Sequence, residues 1–250
     1  RAWISGAIAG LALLVAAVAL GLLAAGPVGW RLELWHFRIG FQTLMPWAAW
    51  TGMGAVGLAL LALVLGLGAL RRGALVAALL AGAGGAVAVG LPWSWGEMRG
   101  VFPPINDITT DSERPPAFKA AAGFRNTPGV NGVDYGGAAV ARQQQAAYPD
   151  IAPVETSLAA PAAFAKALAT ARAMPGWRLT AEDASEGRIE ASERSRWFGF
   201  TDDIVIRVAA DGTGSRIDIR SQSRWGRGDF GVNARRVRAY LAALRGALGA

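Results

Sequence analysis

Three stretches near the N-terminus, roughly Trp3–Ala25, Met45–Leu70 and Gly73–Trp93, carry no charged residue. Each is long enough to supply the approximately 20 apolar residues that a helix needs to cross a bilayer core. In lipid the backbone has no water to bond to, so such stretches must close their own hydrogen bonds as helices. A secretory leader is too short to account for the first and cannot account for the other two. Because the chain opens on Arg1 rather than Met, native residues are expected ahead of it. The division that follows is a three-helix transmembrane region over residues 1–96 and a soluble domain over 97–250.

Orientation follows from the short loops. Arg71 and Arg72 form the turn between the second and third stretches, and Arg1 lies on the same side. If that side is cytoplasmic, the soluble domain is periplasmic, and the chain is a multi-pass protein of a bacterial inner membrane. Arg31 and Arg38 in the first outer loop oppose this, but that loop is longer and also holds Glu33. Trp30, Trp35, Trp47, Trp50, Trp93 and Trp95 gather at the outer edges, where amphipathic rings belong. Gly6 and Gly10, then Gly82, Ala86 and Gly90, repeat at the four-residue spacing that lets helices approach closely in lipid. The same spacing also arises from Ala/Gly-rich composition alone. No ionisable residue falls at mid-depth, which argues against a channel or transporter.

The net charge of +7 is not a nucleic-acid signature. From Glu97 onward, 20 basic residues face 17 acidic ones, with no dense basic stripe. The chain has no cysteine, which excludes disulfides and thiolate chemistry. The one histidine, His36, lies between the first two spans, so the domain has neither a Ser-His-Asp triad nor a histidine zinc site. No cofactor or metal is expected.

The spacing predicts an α+β domain with an antiparallel sheet of about four strands packed against two helices. Gly96–Gly100 reads as a linker, the proline-rich Pro103–Asp111 as extended chain, and residues 112–156 as mostly loop. Phe164, Leu168, Ala171 and Met174 mark a helix ended by Pro175-Gly176. Strands follow over Trp177–Glu182, Arg188–Arg196, Asp203–Val208 and Arg216–Arg224, with a tight turn at Asp211-Gly212. Phe230, Ala234, Val237, Leu241, Leu244 and Leu248 place a final helix behind an N-capping Asp229.

Several of these segments, in this order, resemble the DUF1499 family, a domain of unknown function found in bacteria and plastids. They are Pro103–Asp111, Tyr148–Ile151, Ile189–Ala191, Phe200–Asp203 and Arg220–Arg224, with Gly226, Asp229, Gly231, Asn233 and Arg236. The resemblance covers about residues 100–248 and departs at Trp225, bulkier than the pattern. It implies no activity.

Three groups are candidates for function. In the first, Arg220, Ser221, Ser223, Arg224, Gly226, Arg227, Asp229, Asn233 and Arg236 lie where a strand turns through glycines into a helix. Free N–H groups at a helix start attract anions, so a phosphate, a carboxylate or a lipid headgroup would fit. The alternative is that Asp229 caps the helix and the arginines pair with Asp202 and Asp203. The second is the polar sheet face of Glu190, Arg207, Asp218 and Arg220, either a solvated ion-pair ladder or a cleft covered by residues 103–156. The third is the run from Asn106 to Asp111, where Asp107 and Asp111 with Thr109 or Thr110 suit either helix capping and turn formation or a share of a Ca²⁺ or Mg²⁺ site. Asp202 and Asp203, adjacent on a strand, should point to opposite faces, which weakens any acid–base dyad.

With no catalytic set in view, the sequence leans away from an enzyme. It points to an accessory or scaffold subunit of an inner-membrane protein complex. An anion- or headgroup-binding module is the alternative, and an uncharacterised enzyme is third.

Overall fold

The computed structural model describes residues 2–67 and 70–249; Arg1, used above for orientation, lies outside them. The chain forms two units. One runs to Met98 and takes in Arg196–Gly199; the other runs from Arg99 to Ser195 and from Phe200 onward.

The first unit contains α1 (Ala2–Arg31), the short α2 (Phe37–Ile39), a π-helical turn over Gly40–Leu44, α3 (Met45–Leu65) and most of α4 (Arg72–Val101). Three spans, Ala2–Arg31, Phe37–Leu65 and Arg72–Met98, are long and apolar enough to cross a membrane, with mean hydropathies of 2.6, 2.0 and 2.2. Their inward stripes are alanine. Ala9, Ala12, Ala16 and Ala19 of α1 are buried, as are Ala48, Ala55, Ala59 and Ala62 of α3. Large aliphatic side chains such as Leu14, Leu60 and Leu79 face outward, the reverse of a water-soluble bundle.

Of the glycines that spacing suggested, only Gly82 would bring a Cβ into contact, 3.8 Å from Ala59 Cβ. A Cβ on Gly6, Gly10 or Gly90 would meet nothing within 4 Å. Close approach belongs to Gly52 and Gly85, where a Cβ on Gly85 would stand 2.6 Å from the Gly52 carbonyl oxygen. The segment Gly96–Gly100 is not a linker, since α4 continues through it to Val101.

The second unit is an α+β domain. Its antiparallel sheet has six strands: β1 (Asp107–Thr109), β2 (Val154–Thr156), β3 (Trp177–Asp183), β4 (Arg188–Arg194), β5 (Thr201–Asp211) and β6 (Gly214–Ser223). The order is β1-β6-β5-β4-β3, with β2 also pairing on β6. Asp211 pairs with Gly214, so the β5–β6 turn is two residues, and Gly212 supplies its positive φ of 57°.

The expected four strands are β3 to β6. The two additions, β1 and β2, come from the stretch read as extended chain and loop. That stretch also holds a 3-10 turn (Ala121–Phe124) and α5 (Gly137–Ala147). Only Gln144 of α5 is buried, so no apolar period announced the helix.

Two helices, α6 (Ala160–Ala173) and α7 (Val232–Leu248), pack on one sheet face. Ile189, Ile204, Ile206, Ile217 and Ile219 meet Ala167, Val237, Leu241 and Leu244 there. Complete burial of each isoleucine contributes about 1.5–3 kcal/mol. Trp177 stacks on Tyr240 at 5.5 Å. Helix α7 begins at Val232 rather than Phe230, because Phe230 has a φ of 53° and Gly231 one of 72°.

Candidate functional site

The residues the sequence singled out form two buried polar clusters, one on each side of the sheet. Asp202 and Asp203 do diverge as alternation requires, and each anchors one cluster.

On the helix side, Asn233 and Arg236 project from the first turns of α7. The Asn233 amide donates to the Asn106 carbonyl (3.0 Å) and to Ser223 Oγ (2.9 Å). Its carbonyl oxygen accepts from Ser221 Oγ (2.6 Å) and from Arg236. Arg236 also donates to Asp202 (2.8 Å) and Glu193 (2.6 Å). Burial opposes its charge, yet the two carboxylates outweigh that and hold its pKa above the ordinary value. Asp229 accepts from the backbone N–H groups of Gly231 (2.8 Å) and Asn233 (2.7 Å). Burial, the largest influence, raises its pKa despite those bonds.

On the opposite side, residues 110–136 lie over the sheet face that might have been solvated. The Arg220 guanidinium grips Asp107 with two bonds (2.9 and 2.8 Å), their side chains only 3% and 4% exposed. It also donates to the carbonyls of Pro116 and Val133 and stacks over Phe118 (4.9 Å) and Tyr135 (5.6 Å). Burial pushes Asp107 up in pKa and, aided by Asp107, pushes Tyr135 up to about 12.

Asp203 takes two arginines, Arg125 (2.9 Å) and Arg224 (2.8 and 2.9 Å). Glu190, fully buried, accepts from the backbone N–H groups of Lys119, Ala120 and Ala121, at the start of the 3-10 turn, and from Arg188. Asp218 accepts from Thr110, Arg207 and Arg216, and Asp111 from Arg207 and the N–H of Arg114.

The glycines of the motif have a third role. The segment leaving α4 runs along them. A Cβ on Gly231 would meet the Phe102 ring at 2.7 Å, and one on Gly228 would meet Pro104 Cα at 3.4 Å. Asn106 Nδ2 donates to the Gly226 carbonyl (2.5 Å), and the Ser223 N–H donates to the Asn106 carbonyl (2.9 Å). Asn131 Nδ2 holds the same Gly226 carbonyl from the other side (2.8 Å).

The structure brings together nearly all of the first candidate group, with their polar groups turned on one another. Ser221 donates to an amide oxygen rather than to a base, so its hydroxyl is not activated as a nucleophile. Arg220 lies on the other face, and Arg227 alone of the group's arginines is exposed without an ion pair. The run from Asp107 to Asp111 supplies β1 and a turn, and its two carboxylates engage arginines. Among the described residues, no group of three or more His, Cys, Asp or Glu side chains is placed to hold a metal.

Sequence reasoning missed Arg125 and Glu193 as members of these clusters, and it placed Asn106 in the Asp107–Asp111 run and Gln222 in the Arg220–Arg224 motif without a partner for either. It also missed Gln144, whose side chain bonds both the N–H (2.9 Å) and the C=O (2.7 Å) of Thr109 like one more residue of strand. These residues sit in aperiodic segments or look like ordinary surface polar positions, and only tertiary pairing identifies them.

An antiparallel α+β domain with arginine–carboxylate clusters on both sheet faces, preceded by three apolar helices, defines the class. The chain belongs to the DUF1499 family, described as a protein of unknown function, whose pattern matches residues 107–244. No curated protein and no solved structure matches it.

Proposed function

We propose that the protein is a non-catalytic accessory or scaffold subunit of a bacterial inner-membrane assembly, with its α+β domain on the periplasmic side. The saturation of the domain's buried polar residues supports this reading. Asp202, Asp203, Arg220, Asn233 and Arg236 each bond within the domain, so they act on the fold rather than on a substrate. Such networks specify one arrangement of strands and cover, which is what a rigid binding partner needs. The outward aliphatic faces of the spans give lipid or partner helices a surface to pack on. The periplasmic side follows from Arg71 and Arg72, the basic pair before α4.

Two measurements test the reading. With no native cysteine, Thr213→Cys at the β5–β6 turn can be labelled cleanly. A membrane-impermeant maleimide should reach it once the outer envelope is permeabilised, and labelling only after inner-membrane rupture would invert the topology. Detergent-free lipid-disc extraction should yield particles holding a second protein in fixed stoichiometry. Discs holding this chain strictly alone would overturn the scaffold role.

A further inference from the structure

The two edges of the domain's sheet differ. On the β6 side the outer strands are β1 and β2, three residues each, and the Gln144 amide takes both backbone groups of Thr109. On the opposite side stands β3, seven residues long and paired only with β4. Among the described residues, no backbone bond from outside the sheet reaches the stretch from Arg178 to Glu182. An edge of this kind offers its N–H and C=O groups to an extended chain of matching pattern.

The pattern of β3 matches itself. Leu179 stands opposite Ala191 and Ala181 opposite Glu190, so Thr180 is an extra residue, a β-bulge. Leu179 shares the helix side with Ala191, and Glu182, opposite Ile189 and bonded to Arg172 of α6, lies there too. Arg178, Ala181 and Asp183, opposite Ser192, Glu190 and Arg188, lie on the other side. Plain alternation would set Arg178 and Asp183 on opposite faces. With the bulge, the order of faces from Arg178 to Asp183 reads the same from either end. A second copy laid antiparallel about a two-fold axis between Thr180 and Ala181 therefore keeps each facing pair on one side. Arg178 then faces the second copy's Asp183, and the reverse contact forms as well. Arg178 is exposed and, among the described residues, takes part in no salt bridge. Asp183 gives one oxygen to the N–H groups of Ser185 and Glu186 and leaves the other with Arg188, 3.7 Å away.

We propose that β3 is a self-pairing edge: two copies of this chain join their sheets antiparallel across it, and reciprocal Arg178–Asp183 contacts select the register. The bulge and the charges that turn a foreign strand away are the features that admit a second copy. Two opposite-charge pairs across the strands shift association by roughly 2- to 30-fold. The assignment goes beyond the scaffold role and does not depend on it.

The test uses the full chain in mild detergent, where the absence of native cysteine makes cross-linking specific. Thr180→Cys should give a disulfide-linked dimer under mild oxidation, and Thr213→Cys, at the β5–β6 turn, should not. Adding Arg178→Asp to Thr180→Cys should cut the yield several-fold, because it sets like charges face to face. Mixing that chain with one carrying Asp183→Arg and Thr180→Cys should restore the yield as a heterodimer, since both contacts are then of opposite sign. Asp183 also holds the turn at Ser185, so a salt series on Arg178→Asp alone gives an independent reading: 1 M salt should raise its yield and lower that of Thr180→Cys alone. Absence of a Thr180→Cys dimer, an equal yield at Thr213→Cys, or indifference to Arg178→Asp and to salt would overturn the proposal.

Discussion

Replacing Arg220 by Met leaves the Asp107 carboxylate buried without the cation that takes both its oxygens. Arg125, the other cation acting on it, is committed to Asp203. Breaking a buried pair from one side costs about 3–5 kcal/mol, a large part of the roughly 5–15 kcal/mol that holds a domain folded. The reverse change, Asp107→Asn, strands a guanidinium that retains two carbonyl bonds and two rings, at a similar cost near neutral pH.

The two variants part company with acid. Burial already raises Asp107 above its ordinary pKa, and losing Arg220 raises it further. A carboxyl with a raised folded pKa weakens the fold fully above that pKa, less as pH falls through it, and not at all below its unfolded pKa. The Arg220→Met penalty should therefore shrink as pH is lowered from neutral, whereas the Asp107→Asn penalty should stay level because arginine does not lose its proton. Pulse proteolysis over a urea series, on the full chain in mild detergent, reads both. Level penalties for both variants, or losses under about 1 kcal/mol, would refute a buried ion pair isolated from solvent.

Three further outcomes follow from the geometry. Gly231→Ala should lower domain stability by about 1–3 kcal/mol, since it adds a Cβ at positive φ against Phe102; Phe102→Ala should recover part of the loss in the same assay. Gly85→Val should lengthen or broaden the distance between spin labels at Leu60 and Leu79, whereas Gly6→Val, facing open space, should leave it unchanged. Burial pushes the Asp111 carboxyl up, but the Arg114 N–H and Arg207 outweigh it and hold it below its ordinary value of 3.8. That contribution is present above this value and lost as pH falls below it, so Asp111→Asn should flatten the acid limb of a stability–pH curve.

The spans were legible from some 20 uncharged apolar residues each, and the four long strands and both core helices from an apolar residue repeated at its own period. Ile204, Ile206 and Val208 show this in β5, and Val237, Leu241 and Leu244 in α7. Helix α5 was not, because its buried residue is Gln144 rather than an apolar stripe, and strands β1 and β2 were not, because three residues each are too few to show a period. Gln144 is the plainest case: its amide completes a strand edge, and no hydropathy pattern records that. In the candidate site, the pairing of Arg224 and Arg236 with Asp203 and Asp202 was among the readings the sequence allowed, whereas the N-cap of α7 is Gly231 and not Asp229, whose carboxylate reaches forward to the Gly231 and Asn233 N–H groups. Alternation alone sets Arg220 on the far face with Glu190, Arg207 and Asp218, but its pairing with Asp107 emerges only once the chain is folded. The glycines called turn-formers also serve as a track for Phe102 to Asn106, a contact between segments more than a hundred positions apart.

Adjacent Asp202 and Asp203 sit back to back on β5, each matched to cations the other cannot reach. A slide of β5 by one position against its neighbours would exchange their sides. Arg236 would then face Asp203 or Thr201, and Arg125 and Arg224 correspondingly Ile204 or Asp202, so a slide in either direction leaves one set of arginines without its anion. Two neighbouring acids thus work as a key cut on both edges, seating the strand in one alignment and penalising the nearest wrong ones.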